Sequence, residues 1–439
     1  MDEPRALPQE ILDRVLDNIL STSSLINCAL ASRSLLFRSQ LHLFSQITID
    51  HPGRCQQLYI IFTENHRLSA YIRKLTLSFR SHRWLDHLNC LTMQATVPPI
   101  LDMLTSLRSF VFILDMHLEW QDLNQQVSDA LFRLFARPSL LSIHLAGIYW
   151  LPATFFDVSG TLDRLTLDDV IFQPTSDFDP DFQAGLSFKC LEIIPCSDMA
   201  WDPYDVLTSI ATRPSSCLSL ITDFRISPFE CDFEVMLAIF KAAMRSLTTI
   251  QLNHRYEPNF DQTHFEVIIR KLGVPQVNLA EFSNLRSLSL VFSVTYRSSD
   301  DLQDIISSLC RDLLNFLTTN ADAVKCIENL TIVLEHALFI GTTDYSNVPV
   351  LLSETRLWRH LDEVVCILHP FSKILVNFVL SVPISTHRQL DDIRKVWRDL
   401  MRPQFPILEE RGALTLEVER LFLGLPEDER KQDERFLDW

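Results

Sequence analysis

Glycine is the scarcest structural resource in this chain, with eight among 439 residues. Phosphate-cradling loops and dinucleotide-binding turns need several closely spaced glycines, because only glycine combines left-handed backbone angles with close approach, so both are excluded. Basic residues are also in deficit. Thirty-nine Lys and Arg face 56 Asp and Glu, a formal charge of −17 that repels phosphate backbones and anionic bilayers, so neither nucleic acid nor membrane is expected as a partner. No apolar run approaches the roughly twenty residues that span a bilayer. The longest, 374–382, is broken by Asn377, and Met1-Asp2-Glu3-Pro4 lacks the basic and apolar regions of a signal peptide. Ten cysteines include no Cys-x-x-Cys pair and no regular spacing, which favours reduced thiols in a cytoplasmic or nuclear setting over disulfides or a zinc site. The motifs Gly-x-Ser-x-Gly and His-Glu-x-x-His, the Walker loop and the Asp-rich calcium loop are all missing. No catalytic residue, metal or cofactor is therefore assigned, and the chain is not read as an enzyme.

What is present is the composition of a globular protein, 47% hydrophobic and 22% charged. A few isolated candidates for chemistry resolve to bland readings. His82 and His87 stand five apart, off a common helical face, where a metal pair wants four. Asp168-Asp169 reads as a solvated strand end. Asp177, Asp179 and Asp181 alternate with Phe178, Pro180 and Phe182 in an exposed loop whose phenylalanines offer contact points to a protein.

The N-terminus carries the sharpest pattern. Pro8 suits a first helical turn, Glu10 suits the positive end of the helix dipole, and Ile11, Leu12, Val15, Leu16, Ile19 and Leu20 form one wide apolar stripe. The run Ser21-Thr22-Ser23-Ser24 offers hydroxyl caps for a second helix with Leu25, Ile26, Cys28, Ala29 and Leu30. After Ser32-Arg33-Ser34 a third segment brings Leu35, Leu36, Phe37, Leu41 and Phe44, followed by strand-like Ile47-Thr48-Ile49. Three short helices in about forty residues cannot bury this much apolar surface among themselves, so the surplus implies a partner.

The stretch 7–49 resembles the F-box. Leu7, Pro8, Glu10, Ile11, Leu12, Val15, Leu16, Leu25, Arg33, Leu41 and Phe44 match that motif in order and spacing. The resemblance implies docking to a Skp-type adaptor, and through it to a cullin, in a ubiquitin ligase whose remaining chain captures a protein target. Leu7, Pro8, Glu10, Ile11, Leu12, Val15, Leu16, Leu25, Cys28 and Arg33 are the implied adaptor contacts.

Beyond Asp50 an apolar frame at first, fourth and sixth places recurs nine times. It reads Ile72, Leu75, Leu77; Leu107, Phe110, Phe112; Leu140, Ile143, Leu145; Leu162, Leu165, Leu167; and Phe188, Leu191, Ile193. It continues with Ile221, Phe224, Ile226; Leu247, Ile250, Leu252; Leu285, Leu288, Leu290; and Ile327, Leu330, Ile332. Successive frames lie 22 to 42 residues apart. Between them come helical patterns such as Val127, Leu131, Leu134, Phe135 and Leu361, Val364, Val365, Leu368. Strand-then-helix units that cannot each bury their own face predict a stacked solenoid.

The frame is similar to a leucine-rich repeat, which implies an α/β fold: an irregular solenoid with a parallel sheet on the concave side and helices outside. The ninth place, usually Asn or Cys, is filled that way only by Cys196, so irregular curvature is expected. Polar insertions at 173–182, 293–301 and 341–349 are expected to project as loops. Fifth and seventh places should face the concavity, which makes His144, Asp168, Arg225, Gln251, Asn253 and Ser289 candidates for a substrate face. Leu390, Ile393, Val396, Trp397 and Leu400 predict a late helix, and Leu414, Leu416 and Val418 a last strand. The expected organisation is an F-box over 1–50, repeats over 51–402, and a C-terminal cap and charged tail over 403–439. The chain then serves as a substrate receptor for an unknown protein. The alternatives are an interaction scaffold whose N-terminal helices only cap the solenoid, and an enzyme on a non-repeating α/β fold, which requires a deep polar pocket at strand ends.

Overall fold

A computed structural model describes residues 7–19, 21–79, 87–114, 119–173, 185–194, 205–213, 216–226, 233–254, 279–294, 311, 313–336, 348–353, 357–370, 374–382 and 387–420. In their described parts these form two compact units, divided between Ser187 and Phe188. The insertions named above, the Asp177 to Phe182 loop, His82, Cys196 and the charged tail lie largely or wholly outside the described residues, as do the side chains of His87 and Asn253.

The first unit opens with helices α1 (Gln9–Asp17), α2 (Thr22–Ala31) and α3 (Arg33–Leu43). Strands β1 (Gln46–Ile49), β2 (Lys74–Phe79), β3 (Ser109–Leu114), β4 (Ser142–Leu151) and β5 (Gly160–Phe172) follow. They pair in chain order and all in parallel. Helices Pro52–Glu64, His87–Met103 and Gln125–Phe135 supply the crossovers, but a 3₁₀ turn, Ala153–Asp157, is enough between β4 and β5. The second unit holds β6 (Leu186–Ile194, entering from the first), β7 (Asp223–Ile226), β8 (Thr249–His254), β9 (Ser287–Val294), β10 (Asn329–His336), β11 (Leu375–Val382) and β12 (Leu414–Arg420). These too pair in chain order and in parallel. Parallel strands added one after another in an open order are what a solenoid-like α/β fold requires.

Register explains why the apolar frame works. Leu75, Phe110, Ile143 and Leu165 lie side by side on adjacent strands, as do Leu77, Phe112, Leu145 and Leu167. In the second unit Leu191, Phe224, Ile250, Leu288 and Leu330 form the equivalent row. All twenty-seven frame residues are at most 7% exposed. A one-residue slip would turn each set to the opposite face, so burial fixes the register. Strand entry reinforces it: the Arg73 carbonyl accepts from both Arg108 N and Ser109 N at 2.8 and 2.9 Å, and the Thr248 carbonyl from Arg286 N and Ser287 N at 2.9 and 3.0 Å. The sheet begins with β1, within the segment expected to be only a docking module, because Ile47 and Ile49 continue the rows of Leu75 and Leu77. In the second unit β12 ends the row of Leu290, Ile332 and Phe378 with Leu416.

Crossover helices bury the predicted faces. Gln125–Phe135 puts Val127, Leu131, Leu134 and Phe135 inside, and Leu357–Leu368 does the same with Trp358, Leu361, Val364 and Val365. Leu368 is only half-buried. Phe135, Phe155, Phe156 and Phe172 pack successively with ring centroids 5.2 to 5.4 Å apart. Aromatic pairs at such separations add to simple area burial.

One irregularity interrupts the first unit. Register shifts between Ile148 and Leu151, and Gly147, Trp150 and Asp169 all have positive φ, at 63°, 61° and 54°. A side chain at position 147 would also place its Cβ 2.5 Å from the Leu114 carbonyl oxygen, so this bulge needs glycine twice over. Asp168-Asp169 therefore lies inside β5 at this bulge, which corrects its reading as a strand end.

Candidate functional site

The three N-terminal helices form as their local chemistry dictates. Pro8 is the residue before α1 and its carbonyl accepts from Ile11 N and Leu12 N at 3.1 and 3.3 Å. Ser21 caps α2 by accepting from Ser24 N, and Ser32 caps α3 by accepting from Ser34 N, each at 3.3 Å. Substituting such caps typically costs about 1 kcal/mol.

What holds α1 against α3 is mainly polar. Asp17, at the end of α1, accepts from Arg38 Nε at 2.6 Å and Nη2 at 2.7 Å, and lies 2.8 Å from His42 Nε2. The Arg38 bond, followed by the His42 bond, holds the Asp17 carboxyl at about 2, below the ordinary 3.8. At the other end Gln9 Nε2 donates to the Ser34 carbonyl at 2.9 Å. Leu16 is the one buried side chain of α1, and Leu25 that of α2.

Seven other large apolar side chains are exposed. Leu7, Ile11 and Val15, spaced i, i+4, i+8, are 61%, 48% and 55% exposed. Ile26 and Leu30 are exposed on α2, Leu30 to 82%, and Leu36 and Phe37 on α3. Seven of the fifteen large exposed apolar side chains among the described residues thus fall within residues 7–37. Scattered apolar exposure is normal, whereas a concentration of this kind marks an interaction surface. Phe37 also meets Tyr71 edge-on, with centroids 5.6 Å apart.

The predicted contact residues separate accordingly. Leu7, Pro8, Glu10, Ile11, Val15 and Arg33 are exposed, and Leu12 and Cys28 are half-buried. Leu16, at 1% exposure, and Leu25, at 6%, are interior, which corrects their reading as contacts. The wide stripe on α1 divides, since adjacent residues lie about 100° apart around a helix and Ile11 and Val15 face away from Leu16. Ile26, Leu30, Leu36 and Phe37 were apolar in the sequence pattern, yet nothing in it told which of them the fold would leave outside.

The opposite sheet face differs between the units. In the first, most fifth and seventh places are closed: Thr76, Ser78, Val111, Ile113, Ala146 and Thr166 are buried, with Val111, Ile113 and Ala146 in one cluster. An open concave surface was expected there, and small or branched side chains lying row to row leave these positions little exposed instead. His144 and Asp168 are the more accessible pair, with His144 Nε2 3.7 Å from Asp168 Oδ2. In the second unit Glu192, Arg225, Gln251, Ser289, Thr331, Asn377 and Thr415 form a single half-buried polar row across β6 to β12. Arg225, Gln251 and Ser289 are thereby neighbours, and Asn253 pairs in register with Val291 one pleat further along.

Among the described residues no three His, Cys, Asp or Glu side chains gather into a metal-ligating group, and no helix is long and apolar enough to cross a membrane. The six cysteines described are free thiols, and burial pushes that of Cys217 up to about 11.

No family model matches the chain, and no curated protein does. A solved structure of a Bacteroides fragilis protein aligns over 85% of this chain and 73% of its own, at 12% identity and a TM-score of 0.29. A likeness that slight adds nothing to the fold or the function.

Proposed function

We propose that the chain is a substrate receptor that docks a Skp-type adaptor, and through it a cullin, with the exposed face of α1 to α3. The observation that carries this reading is the exposure of Leu7, Ile11, Val15, Ile26, Leu30, Leu36 and Phe37, all within residues 7–37. The F-box resemblance of 7–49 gives that surface a partner of matching chemistry, a groove that takes apolar helices. The leucine-rich-repeat-like domain then presents a protein target, with the row from Glu192 to Thr415 in its second unit as the contact surface. That row mixes amides, hydroxyls and single charges, as protein interfaces do, and lacks the apolar concavity of a small-molecule site. In this reading the chain contributes proximity, supplies no catalytic group or cofactor, and works in the cytoplasm or nucleus.

Co-purification with a Skp-type adaptor tests it. Leu7→Ala with Ile11→Ala should abolish recovery of the adaptor while leaving the circular dichroism unchanged. Undiminished recovery would remove the docking assignment.

A second reading has its own observation. Since β1 follows α3 directly and pairs with β2, and Phe37 packs on Tyr71, the N-terminal helices also serve as an end cap on the sheet. Deleting 1–50 would then expose the rows of Leu75 and Leu77 and cause aggregation. A soluble remainder would contradict the cap.

A further inference from the structure

β12 pairs with β11 alone among the described strands, which leaves its other edge to be dealt with. Such an edge offers unpaired N–H and C=O groups to any strand that approaches. The Ala413 carbonyl accepts from Val376 N at 2.8 Å and so points toward β11. Because backbone groups alternate in direction along a strand, those of Leu414, Leu416 and Val418 point away from it.

Two of these outward carbonyls are occupied by arginines. Arg394 Nε donates to the Val418 carbonyl at 3.2 Å, and Arg398 Nε donates to the Leu416 carbonyl at 3.4 Å. Both belong to the helix His387–Met401, the crossover from β11 to β12, whose inner side buries Leu390, Ile393, Trp397 and Met401. The spacing is matched. Four residues of helix rise about 6 Å and two residues of strand about 6.6 Å, and the higher-numbered arginine meets the lower-numbered carbonyl, as an antiparallel helix demands. Arg394 is also steadied by Asp391, 3.1 Å from its Nη1.

We propose that Arg394 and Arg398 form an edge lock, which keeps β12 from pairing with β12 of a second copy of this chain. Guanidinium groups suit the task, since each brings fixed, permanently charged donors to a carbonyl that a neighbouring strand would otherwise claim. Of the edge side chains, Leu416 and Val418 are already buried and Leu414 is half-buried, so a second copy would gain mainly the backbone ladder, and removing the two donors opens it.

The test uses the full chain with Arg394→Ala and Arg398→Ala together. Sedimentation velocity should show the wild type as one chain and the variant shifting to two as concentration rises. In the variant, hydrogen exchange at the Leu416 and Val418 amides should slow with concentration, which locates the new contact at β12. A folded variant that sediments as the wild type does, with exchange at those amides independent of concentration, overturns the lock. If the double variant does not fold, Arg398→Ala alone keeps the Arg394–Asp391 pair, and the same two measurements carry the same meanings.

Discussion

Asp362→Ala should release the C-terminal end of the second unit. Asp362 lies on the helix Leu357–Leu368 and is completely buried. Its Oδ2 accepts from Ile407 N and its Oδ1 from Leu408 N, both at 2.9 Å. Those amides open the short helix Pro406–Glu410, where Pro406 has no N–H to satisfy. Asp362 is thus a helix cap supplied from a distant part of the chain, with two charge-assisted bonds of about 1.5–3 kcal/mol each. Leu408 is buried too, so truncation strands at least one donor away from water and leaves a small void. The expected loss is about 3–5 kcal/mol. Asp362→Asn keeps the volume and one acceptor but turns an NH₂ toward the other amide, and should lose about 2 kcal/mol. Hydrogen exchange is the suitable assay, because two units need not unfold together. Amides of 407–410 and of β12 should exchange faster in both variants, most in Asp362→Ala, while those of β2 and β3 stay as they were. A change at 407–410 equivalent to less than about 0.5 kcal/mol would refute the capping argument.

Other consequences are as direct. Gly147→Ala adds a Cβ 2.5 Å from the Leu114 carbonyl oxygen at a φ of 63°, and should destabilise the first unit by about 1–3 kcal/mol in urea titration, whereas a neutral result would mean the bulge is not as placed. Cys326, which is exposed, should react with a thiol reagent before Cys217, which is buried, pushed up to about 11 and should stay protected in the folded chain; the reverse order would contradict the burial. Asp17 binds its proton less readily when folded, so its contribution to holding α1 is complete above the ordinary 3.8 and is lost as pH falls toward about 2. Exchange at α1 should therefore rise over that range in the wild type and not in Asp17→Asn, in which α1 is already loosened at neutral pH.

The nine frames could be read because a half-buried strand repeats its apolar side chains every second residue and the first place adds a third anchor. Strand β11 keeps the second and third anchors, Val376 and Phe378, but has Lys373 at the first place, so in the sequence it shows only as an apolar run. The bulge was illegible because positive φ falls on Trp150 and Asp169, residue types that do not announce it. The closed face of the first unit was missed for a related reason. Val111, Ile113 and Ala146 sit at fifth and seventh places, and a rule of alternation assigns those outward whatever their chemistry. Contacts such as Asp362 with Leu408, or Arg398 with Leu416, join segments that only the fold brings together, and no local pattern encodes them. The exposed apolar face was half legible. Amphipathic spacing marked the helices, but which apolar residues stay outside depends on the Asp17 bridge to Arg38 and His42, which turns α1 so that Leu16 faces in.

In the proposed reading a Skp-type adaptor docks on the outward apolar face of α1 to α3. Titration of the purified full chain against a Skp-type adaptor, comparing wild type with Ile11→Ala and with Leu30→Ala, tests it most directly. Each truncation should remove about 1–2 kcal/mol of binding, a rise of roughly 5- to 30-fold in Kd, with melting temperature unchanged. A wild-type chain that does not bind the adaptor, or binding that neither substitution weakens, would contradict it.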